Sequence, residues 1–309
     1  MLIPKNSPEI SDLIISFDSE TLKRQPVQKT AVIEHFTQVK NVRAASLVHK
    51  MPAINGILDP VAVNTLLIRV HTELQRLSEE FVQGQRVAEL IRPFLQAFRL
   101  QKKDISPFRI VDVGCGIGYV LRWLAAKGNL GDDVELIGAD YNEALIEEAQ
   151  RLAHKEQLRV SFIKANAFKL AVPASIYITT GVLHHFKGQG LTDFFQAHER
   201  PETLGFAHFD FQPSPLAPLG AWLFHITRFR EPLARHDGVL SAIRAHSGKT
   251  LLEAVRSGTP DFASTLYNTK LGDSPIPRPF QTLLGIRPVY QEAFVNALKR
   301  RASRIQGWK

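Results

Sequence analysis

Between Phe108 and Phe211 five short apolar runs alternate with helical stretches. The runs read FRIVDVG, VELIGAD, RVSFIKAN, ASIYITTG and TLGFAHFDF, and the stretches between them include YVLRWLAAKG, NEALIEEAQRLAHK and LTDFFQAHER. Runs this short and this rich in β-branched and aromatic residues suit strands buried on both faces. Strands separated by helices cannot pair as tight hairpins. They form βαβ units, and so a mostly parallel sheet with helices on both sides.

The flanking sequence has a different rhythm. Residues 1 to about 27 lack sustained periodicity and hold Pro4, Pro8 and Pro26, which reads as an irregular arm. The spacing of Val32, Phe36, Val39 and Val42 predicts a helix over 29–49. Asp59-Pro60 is a helix start, followed by the stripe Leu66, Val70, Leu74, Leu77 and Phe81. A second stripe, Val87, Leu90, Ile91, Leu95 and Phe98, predicts a helix kinked near Pro93. No strand is expected in the first hundred residues. A helical N-terminal lobe or lid over 1–105 and a sheet domain over 106–309 follow. Residues 212–261 read as a helical insertion between the fifth strand and two last ones, FASTLYNTKL and PFQTLLGI, which the turn-rich GDSPIPR separates.

The 309 residues are 44% hydrophobic and 22% charged, enough apolar material for a large core. Cys115 is the only cysteine, which excludes an internal disulfide and a Cys-based zinc site. The opening MLIPKNSPEISD carries prolines and acids where an export signal needs a basic start and an apolar run. No apolar stretch approaches the roughly 20 residues of a membrane span. The expectation is a soluble, cytoplasmic protein with no membrane partner. The net charge of +8 favours an anionic partner, but only the tail ALKRRASRIQGWK concentrates it, and a solvated basic helix end explains that equally. No RNA-binding module is present.

The first strand runs into VDVGCGIG, with Gly114, Gly116 and Gly118 at every second position. Glycines at a strand-to-helix turn let a ligand approach the main chain, and the helix N-terminus beyond offers free N–H groups. The crevice at the carboxyl ends of such strands is the usual ligand site. Tyr119 stands where a dinucleotide fingerprint has its third glycine, and no Lys-Ser/Thr follows, so neither a nicotinamide loop nor a triphosphate loop is matched. Asp140 ends the second strand, placed to accept two ribose hydroxyls. Asn166-Ala167 ends the third, and TTGVLHHF follows the fourth.

Together these segments resemble the class I S-adenosylmethionine-dependent methyltransferases over residues 106–211. VDVGCGIG is similar to the family's first motif, Asp140 to its ribose-binding acid, and GVLHHF to the fourth-strand sequence of its small-molecule branch. KANAF stands where the family usually has Gly-Asp-Ala, so Asn166 replaces the commoner Asp. The resemblance implies a Rossmann-like seven-stranded, mostly parallel sheet ending in a reversed hairpin, with S-adenosyl-L-methionine as cofactor. It also implies residue roles. Asp112 helps to place the methionine amino group, and Gly114, Cys115 and Gly116, with Gly118 behind them, meet the methionine and ribose. Asp140 takes the ribose hydroxyls, with Tyr141 beside the adenine. Asn166 and Ala167 bracket the adenine edge, and Thr180 and Gly181 line the floor.

Methyl transfer needs in-line approach, and an acceptor of high pKa needs a base. The Asn/Asp-Pro-Pro-aromatic motif of amine-type DNA and protein methyltransferases is replaced here by TTGV. His184, His185, His208 and Asp210 are the candidate catalytic residues, against packing and helix capping as the plainer use of each. His208-x-Asp210 lacks a spacing that would fix a third ligand, so no metal is expected. Phe186, Trp222, Ile226 and His236 are candidates for the acceptor pocket, although ordinary helix burial accounts for the stripe Leu219, Trp222, Leu223, Ile226 and Phe229 as well. The reading is a methyltransferase acting on a small-molecule acceptor. The alternatives are an RNA methyltransferase, from the charge, and an inactive adenosyl-binding scaffold, from Asn166 and the unmatched residues 212–261.

Overall fold

The computed structural model describes residues 7–101, 107–170, 172–268 and 280–308. Four helices open the chain: α1 (Ile10–Leu13), α2 (Lys29–Gln38), α3 (Val42–His49) and α4 (Pro60–Glu80). α5 (Gln83–Gln101) leads to β1 (Phe108–Val113), α6 (Tyr119–Lys127), β2 (Val134–Asp140), α7 (Glu143–Lys155), β3 (Ser161–Lys164) and β4 (Ile176–Thr180). Then come α8 (Gln189–Gln196), β5 (Gly205–Phe211), the helices α9 (Ala217–Arg228), α10 (Pro232–Arg244) and α11 (Gly248–Gly258), β6 (Ala263–Tyr267), β7 (Phe280–Ile286) and α12 (Pro288–Leu298). Parts of the expected sixth strand beyond Asn268, and the whole GDSPIPR turn, lie outside the described residues.

The seven strands form one sheet in the order β6-β7-β5-β4-β1-β2-β3. β1 pairs in parallel with β2 and β4, β2 with β3, and β4 with β5. β7 alone is reversed, antiparallel to both β5 and β6. The strand order turns around between β1 and β4, which opens a crevice at their carboxyl ends. Alternate residues serve opposite faces. Ile110, Ile178, Phe209 and Leu284 pack under α5, α6, α7 and α12, while Val111, Tyr177, Phe206 and Leu283 pack under α8 and α11. Phe94 of α5 stacks on Phe294 of α12 at 4.3 Å between ring centres. Each such buried ring contributes about 1.5–3 kcal/mol.

The chain divides into two compact units, one of Met1–Leu77 with Pro213–Ala245, the other of Ser78–Gln212 with His246–Lys309. The expected boundary at residue 105 therefore shifts. α5 goes with the sheet because Val87, Leu90, Ile91, Phe94, Leu95 and Phe98 are all buried in its core, and the helix runs unbroken through Pro93. Pro213–Ala245, expected within the sheet domain, groups with the N-terminal helices.

Polar anchors inside the first unit explain that grouping. Asp237 of α10 accepts the backbone N–H groups of Ile10 and Ser11, both at 2.9 Å. His236 is buried, with Nδ1 against Asp237 at 2.8 Å and Nε2 against the Asn41 amide. Arg244 pairs with Asp12, and Ser241 donates to Glu9. The buried face of α4 is Val63, Leu67, Val70 and Glu73, which shares only Val70 with the expected stripe, whose other residues are half-buried. Glu73 sits there because its carboxylate accepts the N–H groups of Arg230 and Glu231, at the start of α10. The helix expected over 29–49 is two helices, broken where Lys40 takes φ 58° and the Asn41 side chain caps α3. The arm and the first hundred residues also hold two short ladders, Ser16–Phe17 with Arg24–Gln25 and Ala53–Ile54 with Ile57–Leu58. On α9, His225 and Phe229 are buried, but Leu219, Trp222, Leu223 and Ile226 are exposed. Among the described residues no helix is long and apolar enough to cross a membrane.

Asp237→Ala removes the acceptor for two backbone N–H groups and one imidazole, each costing about 1–3 kcal/mol when left buried and unmet. The expected loss is about 2–4 kcal/mol in urea denaturation, with Asp237→Asn intermediate. A change below about 0.5 kcal/mol would show that the N-terminal segment is not held this way.

Candidate active site

β1 ends in buried Asp112 and Val113, and the chain then turns through three glycines with left-handed backbone: Gly114 (φ 73°), Gly116 (φ 53°) and Gly118 (φ 73°). Other residue types are strained at such angles. At Gly118 a side chain would also land on the Phe162 ring, and at Gly114 on Val182. Ala139 of β2 holds the loop through its carbonyl, which accepts Gly114 N–H at 2.7 Å and Cys115 N–H at 3.2 Å. Asp140 adds the second tie. Its Oδ2 accepts Gly116 N–H at 3.0 Å, and its Oδ1 accepts Asn142 N–H at 2.9 Å, which starts α7.

Two carboxyl groups are thus buried side by side. Burial first, and the charge of Asp140 second, push the Asp112 carboxyl up to about 8. Its Oδ1 is buried with no hydrogen-bond partner among the described residues. Burial also raises Asp140, against the backbone N–H groups that favour its charge. Burial and both acids raise the Cys115 thiol well above its ordinary range, so it stays protonated. An unmet carboxyl oxygen beside a loop of bare backbone fits a cationic ligand with several polar edges. A sulfonium nucleoside with an α-amino group is such a ligand. Gly181, at the end of β4, also has left-handed backbone (φ 70°) with open space where a side chain would stand. Thr180 and Gly181 are half-buried, as are Asn166 and Ala167, and Tyr141 is exposed. The Asn166 side chain accepts Phe168 N–H at 2.9 Å and so shapes its own turn.

The four candidate catalytic residues separate into two groups. His184 and Asp210 come together: Asp210 Oδ1 lies 2.8 Å from His184 Nδ1, and Oδ2 accepts His184 N–H at 2.8 Å. Burial alone would raise Asp210, but the charge and hydrogen bonds of His184 outweigh it and hold the acid below its usual range. The His185 ring lies 4.4 Å from that of His184, and its charge favours ionised Asp140. His208 does not join them. It shares a face of β5 with Asp210 but lies under α8, among Phe194, Phe195, Phe206 and His198, with Nδ1 against Thr179. Burial holds it neutral, far below the ordinary imidazole range. The candidate pocket residues are divided between the two units. Phe186 packs on Phe194 and Phe168, Trp222 and Ile226 stand on the exposed face of α9, and His236 is enclosed in the first unit's polar cluster. Sequence reasoning missed Glu73 and Arg86, two buried charges on otherwise apolar helix faces. Neither stands in the stripes read from the sequence, and no local signal marks either as buried.

This strand order, with its reversed last strand and glycine loop at the turnaround, is the one implied by the resemblance to class I S-adenosylmethionine-dependent methyltransferases. Residues 110–200 match the family model described as a methyltransferase domain. No curated protein sequence matches it. Among solved structures it is similar to the plantazolicin methyltransferase BpumL in complex with SAH, at 12% identity over 73% of this chain and 95% of that one, with a TM-score of 0.50. The plantazolicin methyltransferase BamL, in complex with a triazolic desmethylPZN analog and SAH, is 15% identical over 72% of this chain and 96% of that one, also at 0.50. Magnesium protoporphyrin IX methyltransferase from Synechocystis PCC 6803 is 15% identical over 84% and 99%, at 0.45. At these identities the likeness is one of fold.

The Asp112 shift has a consequence for stability. Its carboxyl is protonated in the fold up to about pH 8 and ionised in the unfolded chain above about 4. The folded state therefore binds more protons in that window, and stability falls as pH rises through it. Urea midpoints of the ligand-free protein should fall from pH 5 to 8 by more than those of Asp112→Asn. Parallel profiles would refute the shift.

Proposed function

We propose that this methyltransferase acts on a small-molecule acceptor, with His184 as the general base. The observation that carries the proposal is the buried His184–Asp210 pair. S-adenosylmethionine, when bound, supplies an electrophilic methyl group on a sulfonium. In this reading Asp112 meets the α-amino group, and Gly114, Cys115, Gly116 and Gly118 give the methionyl and ribosyl parts close access to the backbone. Asp140 turns to the ribose hydroxyls, with Tyr141 beside the adenine. Asn166 and Ala167 border its edge, and Thr180 and Gly181 form the floor.

Ionised Asp210 takes the Nδ1–H of His184 and so fixes the tautomer with its lone pair on Nε2. That nitrogen accepts the proton as the acceptor oxygen or nitrogen attacks the methyl carbon in line. Asp210 then balances the imidazolium charge, as an oriented carboxylate does in other His–Asp pairs. The pair is nearly closed to water, with His184 at 2% and Asp210 at 3% exposure, which strengthens this interaction. The plantazolicin methyltransferases, which share the fold, were solved with desmethylPZN analogs, small molecules of the proposed size class. The basic tail gives less support to an RNA substrate, because Arg301 and Arg304 lie against Glu89.

Methyl-labelled cofactor incubated with a metabolite extract and with purified RNA is the test. Label is expected in the small-molecule fraction, and transfer to RNA alone would defeat the acceptor assignment. His184→Ala should lower the rate by about 10²–10⁴-fold. Its cofactor affinity by calorimetry should stay within about twofold of the wild type, since the base acts on the acceptor. Unchanged turnover would remove His184 from the chemistry.

A further inference from the structure

Among the described residues Arg86 is a buried cation without a paired carboxylate. It lies in the first turn of α5, is 5% exposed, and precedes the fully buried Val87. Its Nε and Nη2 are both buried with no hydrogen-bond partner among the described residues. Other arginines of this unit have carboxylates at hand: Arg99 pairs with Asp133, Arg109 with Glu135, Arg122 with Glu156 and Arg287 with Glu199. Glu89 acts on Arg86 through its field, with no ion pair between them, and its carboxylate is shared by Arg301 and Arg304. A guanidinium does not escape the cost of burial by losing its proton. A native structure that keeps such a group unpaired needs a reason, and a missing anion is the direct one.

The position of Arg86 says which anion. Its guanidinium lies over the Phe280 ring, 5.5 Å from the ring centre. Phe280 opens β7 and is paired in register with Phe211, the last residue of β5, with 5.3 Å between the rings. Phe81 meets Phe280 edge-on at 5.2 Å, and Phe211 meets His184 at 5.5 Å. Two phenylalanine rings thus separate the unpaired cation from the imidazole of the His184–Asp210 pair. The unmet nitrogens are Nε and Nη2, which lie on one edge of the guanidinium plane. That edge presents two parallel N–H groups, the geometry that takes both oxygens of a carboxylate.

We infer that Arg86 binds a carboxylate of the methyl acceptor, whose apolar or aromatic body lies along Phe211 and Phe280 while its reacting atom faces His184. The acceptor class is then a small aromatic or apolar carboxylic acid. This rests on the proposed acceptor chemistry at His184. Since the cofactor's methionyl end also carries a carboxylate, the test separates the two sources.

Calorimetry on the full-length protein, with and without saturating SAH, would compare benzoate and 2-naphthoate with their neutral carboxamides. The expected result is at least about tenfold tighter binding of each acid than of its amide in the wild type, because the amide leaves the guanidinium edge half met. Arg86→Gln should abolish that preference and Arg86→Lys keep part of it, both with SAH affinity within about twofold of the wild type. Equal binding of acid and amide, or no binding of either acid up to about 10 mM, would overturn the inference. So would a fall in SAH affinity in Arg86→Gln with the acid preference intact, which would give Arg86 to the cofactor. The wild-type comparison needs no variant to fold. Failure of SAH to bind at all would count against the methyl-transfer reading, while the acid–amide comparison without SAH still judges Arg86.

Discussion

The glycine loop depends on Asp140. A stretch with three left-handed residues has no intrinsic preference for one shape, and glycine loses more freedom on ordering than any other residue. Asp140 removes that freedom by bonding Gly116 on one side and Asn142 on the other, so one carboxylate fixes both the loop after β1 and the start of α7. The same placement brings its charge against Asp112 and Cys115. Electrostatic strain and loop order therefore have a common origin. A ligand that brings positive charge and polar hydrogens to this corner relieves the first without disturbing the second.

The sheet is built so that chemistry collects at one edge. Parallel β1, β2 and β4 end in Asp112-Val113, Asp140 and Thr180, and β5 ends in Asp210-Phe211. Reversed β7 begins at that edge, which is why Phe280 stands opposite Phe211. The edge therefore passes from buried carboxyls and bare backbone at its middle to aromatic rings and the Arg86 guanidinium at its side. His208 shows how steeply environment changes along one strand. Two residues before Asp210 on the same face, it sits among phenylalanines and is neutral, whereas Asp210 is ionised.

The sheet was legible in the sequence because its signal is local: β-branched runs, glycines at the turn, and helical stretches between. Asp112, Asp140 and the glycine loop were legible for the same reason. His184 and Asp210 could be named but not paired, since their meeting depends on β5 lying beside the turn that follows β4. What resisted reading were contacts across long sequence separations. Glu73 was passed over, because its partners are the backbone N–H groups of residues 230 and 231. His236 looked like a pocket residue because nothing near it in sequence shows that Asn41 and Asp237 enclose it. The helix over 29–49 was read through a break because periodicity does not register a single left-handed residue at Lys40.

The grouping of Met1–Leu77 with Pro213–Ala245 bears on how the chain is made. Ile10 and Ser11 wait for a partner more than two hundred residues downstream, in Asp237. During synthesis the glycine loop, Asp140 and five parallel strands have all left the ribosome before the N-terminal segment can find its acceptor. This segment, translated more than two hundred residues before Asp237, is thus among the last parts to be completed. Contacts of such long separation are slow to form, and until they do Ile10, Ile14 and Phe36 have no finished core to enter. For that interval these side chains stay exposed, and an early stop before Asp237 would leave them so.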